Sequence, residues 1–214
     1  YPQALMAFGR FLAAHPDAWL YCHTKAADAM DLDRLIVTLI DVTGNTKLAE
    51  RIKFPPPSLW YTGFPQQHMA ELYCGFDVLL NPSMGEGFGI PIIEAQACGI
   101  PVIASDHSAM AEITQVGWLV GGDPWWDEAQ ASFGFNPSVD QIVVALEDAY
   151  TQRDSSVLLE EARKVGLAYD ADLVTVQHWE PVLQELGKPR EVAPLKVNGA
   201  NREMRRAAKR KARA

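Results

Sequence analysis

The sequence predicts an α/β fold, a doubly wound parallel sheet with helices on both faces. Two observations carry that expectation. Short apolar runs alternate with helix-like patterns along most of the chain, and such strands need cover on both sides. The 214 residues are 48% hydrophobic, enough for one sizeable core, and no apolar run reaches the ~18 residues of a membrane span. Right-handed crossovers make the sheet Rossmann-like, with ligands expected outside the carboxyl ends of its strands.

Residues 2–15 place Leu5, Phe8 and Leu12 at helical spacing behind Pro2, a residue suited to a first turn. Pro16 and Asp17 break that pattern, and 18–23 reads as a short buried strand. Helices are expected over 31–42 and 45–51. After a proline-rich loop at Pro55–Pro57, residues 59–64 read as a second strand and 68–76 as an amphipathic helix. Residues 77–83 form a third strand, stopped by Asn81-Pro82. A helix follows from about Phe88 to Cys98, with Gly99 as its stop signal. Strands at 101–105 and 117–120 flank a short helix near 108–113. A loop with Trp125 and Trp126 comes next, and Asn136-Pro137-Ser138 opens a helix to about Tyr150. Two more helices are expected over 155–168 and 170–186. On this reading 1–189 is one domain and 190–214 a basic, disordered tail. Four loops, at His23–Lys25, Gly63–Gln66, Asn81–Gly89 and Ser105–Ser108, then converge on one sheet edge as a cleft.

The net charge of −8 is unevenly spread. Residues 190–214 hold nine Lys or Arg and two acids, a net +7, and the other 189 residues carry −15. No Lys or Arg stands between Lys53 and Arg153. An acidic body repels polyanions, which argues against a nucleic-acid groove as the main role, whereas the tail suits an acidic partner. No secretory signal opens the chain. Cys22, Cys74 and Cys98 show neither C-x-x-C nor zinc spacing and read as buried free thiols in a reducing, cytoplasmic setting. The helix-like pattern starts at once on Tyr1, so the chain reads as a fragment.

The stretch NPSMGEGFGIPIIEAQACGIPVIAS, Asn81–Ser105, turns a strand into a helix through glycines and contains no cation. Gly87 and Gly89 leave room for a ligand against the backbone. The amides of Phe88, Gly89 and Ile90 are the unpaired donors of a helix start and suit an oxyanion, aided by the helix dipole. Carboxylates accept hydrogen bonds from vicinal hydroxyls and repel phosphate. Glu86 precedes the turn, and Glu94 lies roughly 7 Å further along the helix at 1.5 Å per residue. With a diphosphate at the helix start, each glutamate would hold a sugar ring on its own flank. A nucleotide-sugar has that order of parts.

These residues carry a resemblance. Ser83, Glu86-Gly87-Phe88-Gly89, Glu94-Ala95, Ala97, Gly99 and Pro101–Ser105 resemble the donor-site signature of glycosyltransferase family 4, retaining enzymes of the GT-B architecture. Glu86 and Glu94 meet its E-x7-E motif. The likeness covers about residues 1–150. It implies the C-terminal, donor-binding half of such an enzyme. Glu86 would act on the transferred sugar, Gly87, Phe88 and Gly89 would line sugar and phosphates, and Ile90 would offer its amide to a phosphate. Glu94 would bind the ribose diol, and the loop Gly63, Phe64, Pro65 would lie beside the base. No metal and no other cofactor is implied. The partners are a UDP- or GDP-hexose and an N-terminal acceptor-binding domain outside this chain. A lysine and an arginine of the family's pattern would fall before Tyr1.

His23, Lys25 and His107 stand at the expected cleft edge and are further candidates for donor contact, as is Ser108. The competing readings are a polar cap for His23 and a solvated side chain for Lys25. Trp125 and Trp126 suit either an acceptor platform, since aromatic faces stack on sugars, or a loop packed on the sheet edge, and Trp179 an apolar contact. The alternative function is a non-catalytic nucleotide-, sugar- or partner-binding module.

Overall fold

The computed structural model describes residues 1–25 and 31–188. Helix α1 (Pro2–Ala14) starts at its proline and buries Leu5, Phe8, Phe11 and Leu12. Helix α2 (Leu32–Thr43) is capped by Asp31, whose carboxylate accepts from the Arg34 N–H at 3.0 Å, and ends on left-handed Gly44. Two short parallel strands, β1 (Leu20–Tyr21) and β2 (Ile52–Lys53), lie in register Leu20 to Ile52; α3 (Leu48–Arg51) leads into the second. Then come α4 (Leu59–Thr62), α5 (Gln66–Cys74), β3 (Leu79–Asn81), α6 (Ile90–Ala97), β4 (Val102–Ser105), α7 (Ala109–Ile113) and β5 (Gly117–Val120). Strands β3, β4 and β5 form a parallel sheet in that order.

The doubly wound arrangement is visible in β4. Its four residues are all buried, and they alternate between two cores. Ile103 points into a cluster with Leu5, Phe8, Leu12, Ile36, Ile142 and Leu146 from α1, α2 and the later helix α8 (Val139–Gln152). Val102 and Ala104 point the other way, to Tyr73, Ile92, Met110 and Ile113 from α5, α6 and α7. Helices therefore cover both faces, as the near-continuous apolar strands require. Helix α9 (Ser156–Leu167) packs on α6 so closely that a Cβ at Gly166 would stand 2.0 Å from the Ala97 nitrogen.

The chain divides into two units, Tyr1–Ala171 and Asp172–Ala214. In the described part of the second, α10 (Ala171–Val174), a π-helical turn (Thr175–Trp179) and α11 (Glu180–Leu186) follow in line. Val176, Trp179, Val182, Leu183 and Leu186 are exposed there. The tail assigned to 190–214 lies outside the described residues. No helix among them is long and apolar enough to cross a membrane.

Three expectations need correction. Residues 59–64 are not a strand: 59–62 form α4, with Tyr61 91% exposed, and the strand that pairs with β1 is Ile52–Lys53. Four residues behind three prolines close a helical turn there, through bonds such as Gly63 N–H to Leu59 O, 2.9 Å. The segment around Trp125 and Trp126 is not a loop. It is an antiparallel hairpin, β6 (Gly122–Asp127) with β7 (Ser132–Pro137). Of the three thiols only Cys22 is buried; Cys74 is exposed, and Cys98 is half-buried, its thiol donating to the Ala70 carbonyl of α5 at 3.9 Å, near Cys74. Helix α5 ends at Cys74 and Cys98 caps α6, so the packing of these helices brings together two residues distant in sequence.

Candidate functional site

Gly89 opens α6 in the left-handed region (φ 90°, ψ 49°), a conformation that favours glycine. Its Cα faces the protein, for a Cβ there would stand 2.9 Å from Ile113 Cδ1, whereas a Cβ at Gly87 would meet open space. No side chain caps the helix. Among the described residues the amides of Phe88, Gly89 and Ile90 find no acceptor within the protein. They form a set of adjacent donors at the positive end of a helix dipole. Phe88 and Ile90 are exposed, and Glu86 is half-buried before the turn.

The loop holding Glu86 is fixed from three sides. The Ser105 hydroxyl donates to Ser83 O at 2.7 Å. The Glu86 N–H donates to Ser108 Oγ at 3.1 Å. The Phe135 N–H, from β7, donates to Met84 O at 3.0 Å. Ser108 itself sits at φ 52°, strained for a residue with a side chain. His107 stacks on the Phe135 ring, 5.0 Å between centroids and 7° between planes. His107 thus packs against the hairpin root beside the Glu86 loop.

Glu94 lies one turn into α6. Its Oε2 accepts from the Tyr73 hydroxyl at 3.0 Å, and its Oε1 has no partner among the described residues. Burial, then the adjoining Glu94 carboxylate, pushes the Tyr73 phenol well above the usual tyrosine value. Neither Glu86 nor Glu94 is in an ion pair among the described residues.

A second group gathers at the end of β1. The His23 ring meets Phe64 edge-on at 4.5 Å and Trp60 at 5.4 Å, and its Nδ1 lies 3.1 Å from the Tyr21 hydroxyl. Desolvation by these neighbours holds the His23 imidazole below the usual histidine value, and so neutral at neutral pH. The Lys25 ammonium lies 5.9 Å from the Trp60 ring centre. Gly63 and Pro65 flank Phe64 and are exposed. The two groups are joined by a file of rings, with Tyr21 to Phe76 at 5.9 Å, Phe76 to Tyr73 at 6.2 Å, and Tyr73 bonded to Glu94.

Sequence reasoning missed Tyr73, Trp60, Phe135 and Gln96. Gln96 is fully buried on α6; its amide donates to Ile113 O at 3.0 Å and accepts from the Gln115 and Val116 N–H groups, both at 3.2 Å. The tyrosine and the glutamine had local signals only of helix membership. A cavity of about 450 Å³ opens elsewhere, where β3 and β4 begin, lined by Cys74, Asp77, Cys98, Arg153, Glu160 and Arg163 among others. None of the candidate residues lines it. Among the described residues no three His, Cys, Asp or Glu side chains gather as a metal site.

The sequence profile described as Glycosyl transferases group 1 matches residues 3–131, more than half of the chain. A D-inositol 3-phosphate glycosyltransferase from Mycolicibacterium gilvum is 37% identical over 67 residues, 31% of this chain and 14% of that protein. The chain thus spans only a small part of the length of that curated relative. The C-terminal domain of a glycosyl transferase group 1 family protein from Francisella tularensis superposes with a TM-score of 0.53 at 23% identity, covering 82% of this chain and 77% of that one. The pneumococcal O-GlcNAc transferase GtfA, solved with UDP and GlcNAc, gives a TM-score of 0.61 at 16% identity, covering 87% of this chain and 33% of that one. At these identities the likeness is one of fold.

Proposed function

The chain belongs to the glycosyl transferases group 1 family, with the fold of the C-terminal domain of GT-B glycosyltransferases, and from this premise we propose that it is the donor-binding half of a retaining hexosyltransferase. Its donor is a nucleoside diphosphate sugar, a UDP- or GDP-hexose, and a further domain supplies the acceptor. The observation that carries this reading is the uncapped start of α6. Three adjacent amides at Phe88, Gly89 and Ile90 lie free between Glu86 and Glu94.

The diphosphate takes the amides of Phe88, Gly89 and Ile90, where backbone dipoles stabilise the charge that develops as it leaves. Glu86 and Gly87 take the transferred sugar on one flank, with His107 beside them. Glu94, held by Tyr73, takes the ribose diol on the other. Gly63, Phe64 and Pro65, with His23 and Lys25, border the base. In the transfer the C1–O bond to the diphosphate breaks and its electron pair stays with the leaving oxygen. An acceptor hydroxyl oxygen bonds to C1, and its proton passes to the released diphosphate or to water. No metal is assigned a part, and a cytoplasmic setting suits a nucleotide-sugar donor.

Calorimetric titration of the chain with UDP, GDP and their hexose conjugates tests the reading. Glu94→Ala is expected to weaken nucleotide binding about tenfold or more, since hydrogen bonds to a charged group are each worth ~1.5–3 kcal/mol. Binding equal to that of the unaltered chain overturns the ribose role of Glu94, and absence of nucleotide binding overturns the donor site.

A further inference from the structure

The β6–β7 hairpin has an aromatic row on one face. Register pairs Pro124 with Phe135 and Trp126 with Phe133. Alternation along each strand puts these four residues on the same side. At the root, Phe135 is 7% exposed, stacked on His107, and bonded through its N–H to Met84 in the Glu86 loop. Further out, Trp126 and Phe133 meet edge-to-face at 5.1 Å and 69°, and remain 51% and 63% exposed. On the opposite face Trp125 lies across Gly134, where a Cβ would stand 2.7 Å from the indole. That packing leaves Trp126 and Phe133 turned to the other side.

The row is continuous with the candidate sugar end of the donor site, and its surroundings select by charge. Glu86 and Asp106 lie on the loops at the root and Glu128 in the turn, Asp123 and Asp127 alternate to the Trp125 face of the same ribbon, and Arg10, which reaches the segment after β7, is paired there with Asp140. A phosphorylated sugar, an anionic lipid surface or a nucleic acid would be repelled there. An uncharged pyranose is not. Its C–H face packs on an aromatic ring, whose face is electron-rich, and its hydroxyls donate to nearby carboxylates.

We propose that the Trp126–Phe133 face is an acceptor subsite and that it takes a neutral sugar ring of a glycan, not a phosphorylated acceptor. The proposal rests on the donor reading above. It places the acceptor chain along the hairpin, on the His107 side of the Glu86 loop.

Saturation-transfer NMR on the whole chain with UDP present tests it, using maltotetraose, cellotetraose, α-1,6-mannotetraose and glucose 6-phosphate as probes. At least one neutral tetrasaccharide is expected to receive saturation. The signal should fall at least fivefold in the Trp126→Ala/Phe133→Ala double variant and persist in Trp126→Phe/Phe133→Tyr. Calorimetric UDP affinity should stay within twofold in both, which also reports that the variants are folded. UDP binding without any neutral tetrasaccharide signal overturns the subsite and leaves the donor reading standing. Preferential binding of glucose 6-phosphate overturns it as well. So does a dimer in light scattering that the double alanine variant abolishes, for the face would then be a contact between copies. Failure to bind UDP overturns the donor reading, and with it the acceptor role.

Discussion

The Tyr73 phenol touches Glu94 and the second core at once, so one side chain couples the site to the fold. Its raised pKa fixes the sign of a pH effect. The folded protein keeps the phenol neutral, while the unfolded chain releases its proton near pH ~10. The stabilisation is complete below that value and is lost as pH rises above it. Urea unfolding at pH 9 and pH 11 should show a stability drop that is smaller in Tyr73→Phe; equal drops in both proteins would refute the coupling. Cys22 adds a loss of the same sign, since burial pushes its thiol up to about 11. Glu86, Gly89 and Glu94 were legible in the sequence because their spacing within one turn and one helix is the motif. Tyr73 and Gln96 were not, because their partners lie 21 and 17 residues away and only tertiary packing joins them.

Among the elements, α6 bears the unpaired amides, and its seat depends on Gln96. Gln96→Leu keeps the volume but strands the buried Val116 amide, while the Ile113 carbonyl and the Gln115 N–H each lose one bond and stay paired with each other at 3.1 Å. One buried unpaired amide costs ~1–3 kcal/mol, so a loss of about 2 kcal/mol is expected in equilibrium unfolding. A loss below about 1 kcal/mol would mean that packing with α9 alone seats the helix. The longer helices and β3 to β5 were readable because each is an apolar run with its own stop signal, such as Gly99 at φ 84°. Strand β2 is two residues long, too short for any periodicity to show. The hairpin was hidden by Gly122, Pro124 and Gly134, residues that read as loop. Its period-two pattern, Trp126 opposite Phe133 and Pro124 opposite Phe135, emerges only once the turn between the strands is placed.

On the scale of the whole chain, a net charge of −8 has to accommodate a multiply charged anion. Side-chain cations and backbone dipoles would do so with opposite salt dependence. Raising ionic strength from about 25 to about 250 mM shortens the Debye length from ~20 to ~6 Å. A site held by lysines or arginines would lose its long-range attraction over that range. A site made of helix-start amides within an acidic body would lose a long-range repulsion instead, while contacts at hydrogen-bond distance are little screened. The affinity of this chain for UDP is therefore expected to stay constant or rise by up to roughly threefold across that range, measured by calorimetry at fixed pH. A tenfold weakening would show that cations such as Lys25, or those of residues 190–214, hold the diphosphate, and the account built on Phe88, Gly89 and Ile90 would fail.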